Sequence, residues 1–247
     1  MKKTILYLDC SAGLSGDMAA GALLDLTEDQ DAVLSAVSAL FDDKRCAAFE
    51  TVWRSDRLCR RFFVSGNREA HVHRTFGDIR RLIMNVPVSS GAKDLALSVY
   101  RIIAQAEAEV HEATMEQVKF HEVGSLSSLA DVLVFSACYC ELGIQQSVIP
   151  CLYDGKGTVA CAHGELAVPV PAVRAILRQN AVPFHQLEVQ GEILTPTGAA
   201  IAAAIRSDLL TTEGLKDIKT GYGAGTRETG LRGYAAAVLM EPTEEIK

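Results

Sequence analysis

The apolar positions of this chain change period several times, and each change marks an element. Ile5-Leu6-Tyr7-Leu8 runs into Asp9, a glycine-rich stretch from Ser11 to Asp17 follows, and Met18 to Leu24 is almost wholly apolar. That order predicts strand, loop and helix. Val33, Leu34, Val37 and Leu40 then recur at helical spacing behind Thr27, which is expected to cap a second helix. Residues 47–54 and 57–65 are rich in Phe, Val and Trp around Ser55-Asp56, a hairpin pattern. Helical periods return over 75–84, stopped by Pro87, over 92–111, and over 126–142, stopped by Gly143. Beyond Gln145 the pattern shortens to strands over 148–153 and 157–161, helices over 171–178 and 197–205, and a strand pair over 216–222 and 234–240. Strands alternating with helices imply an α/β chain: a mixed layered α/β fold, with a helical segment in the first half and short strand-helix units in the second. No linker or repeat divides it. One unit over 1–247 is expected, the alternative being two weakly separated lobes, 1–65 and 66–247.

Composition narrows the function. The 247 residues carry 24 basic and 31 acidic side chains, a net charge of −7, without a block of Lys or Arg. Duplex nucleic acid and anionic membranes select basic patches, so neither is an expected partner; small ligands and cations fit better. The first apolar run is too short and too soon acidic for a signal peptide, and no window reaches 18 uninterrupted apolar residues. Seven scattered cysteines without a Cys-x-x-Cys pair suit a reducing cytoplasm, with Cys138 and Cys140 as core packing.

Candidate chemistry gathers in the polar junctions. The loop from Asp9 to Asp17 has carboxylates on both sides of its glycines at a helix start, where backbone N–H groups attract anions. It reads either as a phosphate site bridged by a divalent cation or as a tight turn with Ser15 and Asp17 capping the helix. Of only six histidines, His71 and His73 flank Val72, and His121 precedes Glu122. In an extended segment i and i+2 point the same way, so His71 and His73 can converge on one ion, with His121, Glu122 or His163 completing the shell. Imidazoles suit zinc, nickel or copper, and solvated surface histidines are the alternative. Gly164 either opens an approach to His163 or only makes a turn. His111 at a helix end fits the helix dipole, and His185 reads as structural. Thr195-Pro196-Thr197-Gly198 opens another helix, either as an anion site or with Thr197 as its N-cap. Gly221-x-Gly223-x-Gly225 lacks the Rossmann spacing, and no P-loop, Gly-x-Ser-x-Gly or His-Glu-x-x-His motif occurs.

Taken in order, Tyr7 to Met18, His71 to Arg74, Ala106 to His111, Phe120 to Gly124, His163-Gly164, Pro169 to Pro171, Glu192 to Ala200 and Gly221 to Gly225 resemble the LarC-type nickel insertion protein family over almost the whole chain. The resemblance implies a cytidine-triphosphate-dependent nickel chelatase of the lyase class, using a divalent metal. Such a protein inserts nickel into pyridinium bisthiocarboxylic acid mononucleotide through sulfur and carbon donors. It makes His71, His73, His121, Glu122 and His163 candidate nickel ligands, and Asp9, Gly13, Ser15, Gly16, Asp17, Thr195, Thr197 and Gly198 candidate contacts to the phosphate-bearing substrate. No catalytic residue is assigned. The chain departs from the family pattern at Lys119, where a histidine is usual, at Ser127, and at Tyr234 to Ala237. Family members continue into a C-terminal domain associated with the nucleotide, so a separate C-terminal subunit is the expected partner, and a homo-oligomer is open. A nickel metallochaperone, or a divergent homologue taking another phosphate-bearing ligand, are the alternatives.

Overall fold

A computed structural model describes residues 3–41, 46–65, 73–161, 164–209, 211–227 and 230–243. The first strand, β1 (Thr4–Asp9), lies inside a six-stranded sheet of order β2-β3-β9-β10-β1-β4. Its neighbours are β10 (Tyr234–Pro242), antiparallel, and β4 (Ile144–Val148), parallel. The hairpin β2 (Ala47–Arg54) and β3 (Arg57–Val64) joins through β9 (Leu215–Ala224), so the sheet takes strands from both ends of the chain. The two smaller sheets are the parallel pair β5 (Leu152–Lys156) with β8 (Phe184–Gln190), and the hairpin β6 (Thr158–Cys161) with β7 (Gly164–Ala167).

The helix α1 (Gly16–Leu24) packs on β9, β3 and α5 (Leu126–Glu141). Close approach is possible because β9 presents glycines to it: a Cβ on Gly223 would lie 1.9 Å from the Met18 carbonyl oxygen, and one on Gly221 2.4 Å from that of Ala22. The Gly-x-Gly-x-Gly run is therefore a packing device. Further out, α4 (Ser90–Val110) crosses α5 and meets α6 (Pro171–Gln179) and α7 (Pro196–Ile205). Two shorter helices are α2 (Gln30–Ser38) and α3 (Phe76–Asn85), the latter held by a capping box between Thr75 and Asp78. Such a cap contributes about 1 kcal/mol. One large core joins these layers, with Tyr100, Phe62, Phe120 and Phe135 fully buried in it. Each buried side chain of this kind contributes about 1.5–3 kcal/mol.

The expected mixed α/β architecture is present, with three local corrections. Thr27 does not cap α2: its hydroxyl donates to the Leu23 carbonyl at the end of α1, and Asp29 accepts from the Ala32 amide instead. Residues 148–153 are not one strand, because Pro150 has no N–H for a ladder; β4 ends at Val148 and β5 begins at Leu152 in another sheet. The polar strand β8, unassigned in the sequence pattern, supplies the partner of β5, and His185 stands on it, exposed, with its ring 5.9 Å from that of Tyr153. Among the described residues no helix is long and apolar enough to cross a membrane.

Candidate functional site

Two loops far apart in sequence are laced together by backbone hydrogen bonds. The Leu14 amide donates to the Ile193 carbonyl at 2.9 Å, and the Thr195 amide donates to the Leu14 carbonyl at 3.0 Å. Only glycine fits at two flanking positions: Gly13 has φ +85°, with Ile193 oxygen 2.1 Å from any added Cβ, and a Cβ on Gly198 would meet the Leu14 oxygen at 2.2 Å. The buried Asp154 carboxylate fastens the second loop by accepting from the amides of Ile193 (2.8 Å), Leu194 (3.1 Å) and Gly155 (2.8 Å). The N-termini of α1 and α7 consequently open side by side, with first-turn amides that no helix can satisfy internally. Thr195, rather than Thr197, is the N-cap of α7; its hydroxyl accepts from the Gly198 amide at 3.1 Å, and Pro196 takes the first helical position.

These helix starts border a cleft of about 770 Å³. Its lining is mixed: Phe62, Phe63 and Val64 of β3, Val110, Val159 and Leu166 are apolar, and Ser15, Asp17, Asp131, Glu122, Glu192 and Thr197 are polar or acidic. Such a lining suits a ligand with an apolar body and a charged end. Ser15 holds the N-cap position of α1 without a side-chain cap bond; its hydroxyl donates to the Asp17 carboxylate, which also accepts from the Met18 amide at 3.0 Å. Asp131 reaches the same corner from α5, its Oδ2 lying 2.9 Å from where a Gly16 Cβ would stand. Removal from water, and then the like charge of Asp17, hold the Asp131 carboxyl well above its ordinary range. Burial also raises Glu192, against the opposing pull of Arg227 at 2.7 Å, while the charges of Asp154 and Glu122 push the same way as burial.

At the rim, the segment before α3 pairs with the segment before α5. Arg74 and Phe120 form an antiparallel bridge, the Phe120 amide donating to Arg74 at 2.8 Å and the Arg74 amide to Phe120 at 3.3 Å. This register sets His73 opposite His121, with ring centroids 4.5 Å apart and planes at 89°. Two imidazoles bound to one ion at about 2.0–2.1 Å and near a right angle would have centroids about 4.5 Å apart, and the observed separation matches that spacing. Among the described residues no group of three or more His, Cys, Asp or Glu side chains is arranged to hold a metal ion.

The family profile described as nickel insertion protein matches residues 6–246. The chain belongs to the nickel insertion protein family. Relatives named pyridinium-3,5-bisthiocarboxylic acid mononucleotide nickel insertion protein include those of Alkaliphilus metalliredigens, 35% identical over 96% of this chain and 60% of that protein, and Acetivibrio thermocellus, 34% identical over 98% and 62%. A third, from Akkermansia muciniphila, is 35% identical over 97% of this chain and 61% of its own length. The chain thus spans about three-fifths of the curated relatives it matches. No solved structure matches it.

Within this nickel insertion family chain, Ser15, Gly16, Asp17, Thr195 and Thr197 line the cleft, as do His121 and Glu122. Gly13 and Gly198 shape it through the backbone. His73 joins through His121. His71 and His163 lie outside the described residues. Asp9 is not in the cleft wall; it pairs with Arg232 at 2.8 Å. Burial raises the Asp9 carboxyl, but the Ser11 bonds and Arg232 outweigh this and leave it below the ordinary range. The sequence reading assigned no site role to Asp131, Arg227, Phe62 or Phe63. Asp131 had a signal: it is the single charged residue from Leu126 to Cys140 in an apolar helix. Arg227 and the two phenylalanines had none.

Proposed function

We propose that this cleft holds pyridinium-3,5-bisthiocarboxylic acid mononucleotide while nickel passes to it from the His73–His121 pair. What carries the reading is one arrangement: a two-imidazole donor set at the rim of the same cleft in which two helix starts open. Nickel here is cargo, and a cargo site must let go. Two imidazoles and the Glu122 carboxylate make a sparse, borderline donor set, which thiocarboxylate sulfur can outcompete for nickel. The phosphate is assigned to the start of α7, beside Thr197 in the cleft that Arg227 also lines, and the ring to Phe62 and Phe63. Asp131 and Asp17 repel a phosphate, which directs the anionic end toward α7 and away from them.

A separate polypeptide corresponding to the rest of the relatives' length is the proposed partner for the cytidine-triphosphate-dependent part of the reaction, in a cytoplasmic setting that suits seven free thiols. The test is calorimetry with nickel on metal-free protein, followed by mass spectrometry of the mononucleotide after mixing. Nickel binding followed by appearance of the nickel-bearing nucleotide supports the reading. Binding without transfer, in the presence of the partner, would make the chain a nickel metallochaperone; neither would leave a homologue for another phosphate-bearing ligand.

A further inference from the structure

We propose that the Asp17–Asp131 pair accepts the proton released from the pyridinium ring when nickel is bonded to carbon. The inference rests on the functional reading above and adds the base that the reading lacks. Thiocarboxylates at ring positions 3 and 5 converge on the carbon between them, C4, so nickel held by both sulfurs stands against the C4–H bond. In the step, the C4–H bond breaks and its electron pair forms the nickel–carbon bond. The hydrogen leaves as a proton to a carboxylate oxygen, and nickel(II) keeps its oxidation state. No oxidant or reductant is required.

The geometry points to these two carboxyls. Among the described residues no hydrogen-bond donor meets the Asp131 carboxylate, and Asp131 is the single charged residue of α5 before Glu141. A carboxyl so placed costs stability once it ionises, and groups of this kind gather at functional sites. Room for it is built in, because Gly16 supplies no Cβ where Asp131 Oδ2 would meet one at 2.9 Å. Asp17 is by contrast fixed, by the Ser15 hydroxyl and the Met18 amide, so one member is oriented while the other is left without a donor. Burial, and then the like charge of Asp17, hold the Asp131 carboxyl above the ordinary carboxyl range, which makes it the better proton acceptor of the two. Both line the same cleft as Phe62 and Phe63, the residues to which the ring is assigned.

The test compares the intact chain with Asp131→Asn and Asp131→Glu, each given nickel, mononucleotide deuterated at C4, cytidine triphosphate and the C-terminal portion of a full-length relative. Mass spectrometry separates a sulfur-bound nickel adduct, which keeps the deuterium, from the ring-metallated product, which has lost it. The expected result is that Asp131→Asn binds nickel and mononucleotide within about threefold of wild type but accumulates the deuterium-retaining adduct. Its metallation rate should fall by about 10²–10⁴-fold, the usual worth of a general base, with partial recovery in Asp131→Glu. Asp131→Asn forming the metallated product at the wild-type rate would overturn the assignment alone. A wild-type chain that binds both components and yields no metallated product would overturn the functional reading and the proton acceptor with it.

Discussion

His73 and His121 meet edge to face at 4.5 Å because the Arg74–Phe120 bridge leaves them directly opposite. Phe120 is buried against Tyr100, whose hydroxyl donates to the Val123 carbonyl at 3.0 Å, so the rim is tied to the core of α4. His73→Ala and His121→Ala are each expected to weaken nickel binding by at least about tenfold, the loss that follows when even an outer partner of a metal ligand is removed. The double variant should fall little further if both serve one ion. Calorimetry on the three variants reads this, and additive losses would mean two separate sites.

Asp131→Asn should stabilise the chain while removing its proposed role. Burial raises the folded-state carboxyl, so between the ordinary carboxyl range and that raised value the folded chain binds a proton the unfolded chain has released. Stability is therefore full at low pH and is lost as pH rises. Asparagine removes that dependence. The variant's melting temperature is expected to exceed wild type at pH 8, by about 2–4 °C for each kcal/mol recovered, and to lose the advantage near pH 4. A lower melting temperature at pH 8 would count against the account.

Asp154 is fully buried and gives its carboxylate to three backbone amides. Asp154→Ala leaves those amides unanswered and is expected to cost about 3 kcal/mol in urea unfolding. It should also loosen the Glu192–Thr195 strap, so mononucleotide affinity drops in whatever fraction remains folded. Unchanged stability would show that other groups can take up the amides.

Gly223 and Gly143 separate two uses of glycine. Gly223→Ala drives a methyl into the α1 backbone at 1.9 Å and is expected to cost about 3 kcal/mol or more. Gly143 has φ +61° with nothing within 4 Å of an added Cβ, so Gly143→Ala should cost only about 1–2 kcal/mol, the strain of a left-handed residue. Denaturant midpoints for both variants check the order.

Local order in this protein was written into the sequence. Period and breakers placed β1, the β2–β3 hairpin, α4, α5 and the closing strand pair within a few residues, because each buries one face against a single core and its apolar spacing records that face. The glycine-rich loop and the Thr195 segment were legible as helix starts for the same reason. Only the tertiary structure decided what those parts do together. Leu14 and Ile193 meet through backbone atoms, which carry no side-chain signature, and Asp154 holds them from a third element. Among the described residues His73 meets His121 from a distant segment, since a bridge register is fixed by packing of Phe120 beneath it. Asp131 was visible as one charge in an apolar helix, yet its standing beside Asp17 depends on how α5 crosses α1. Gly16 makes that closeness possible, since a Cβ there would lie 2.9 Å from the Asp131 side chain.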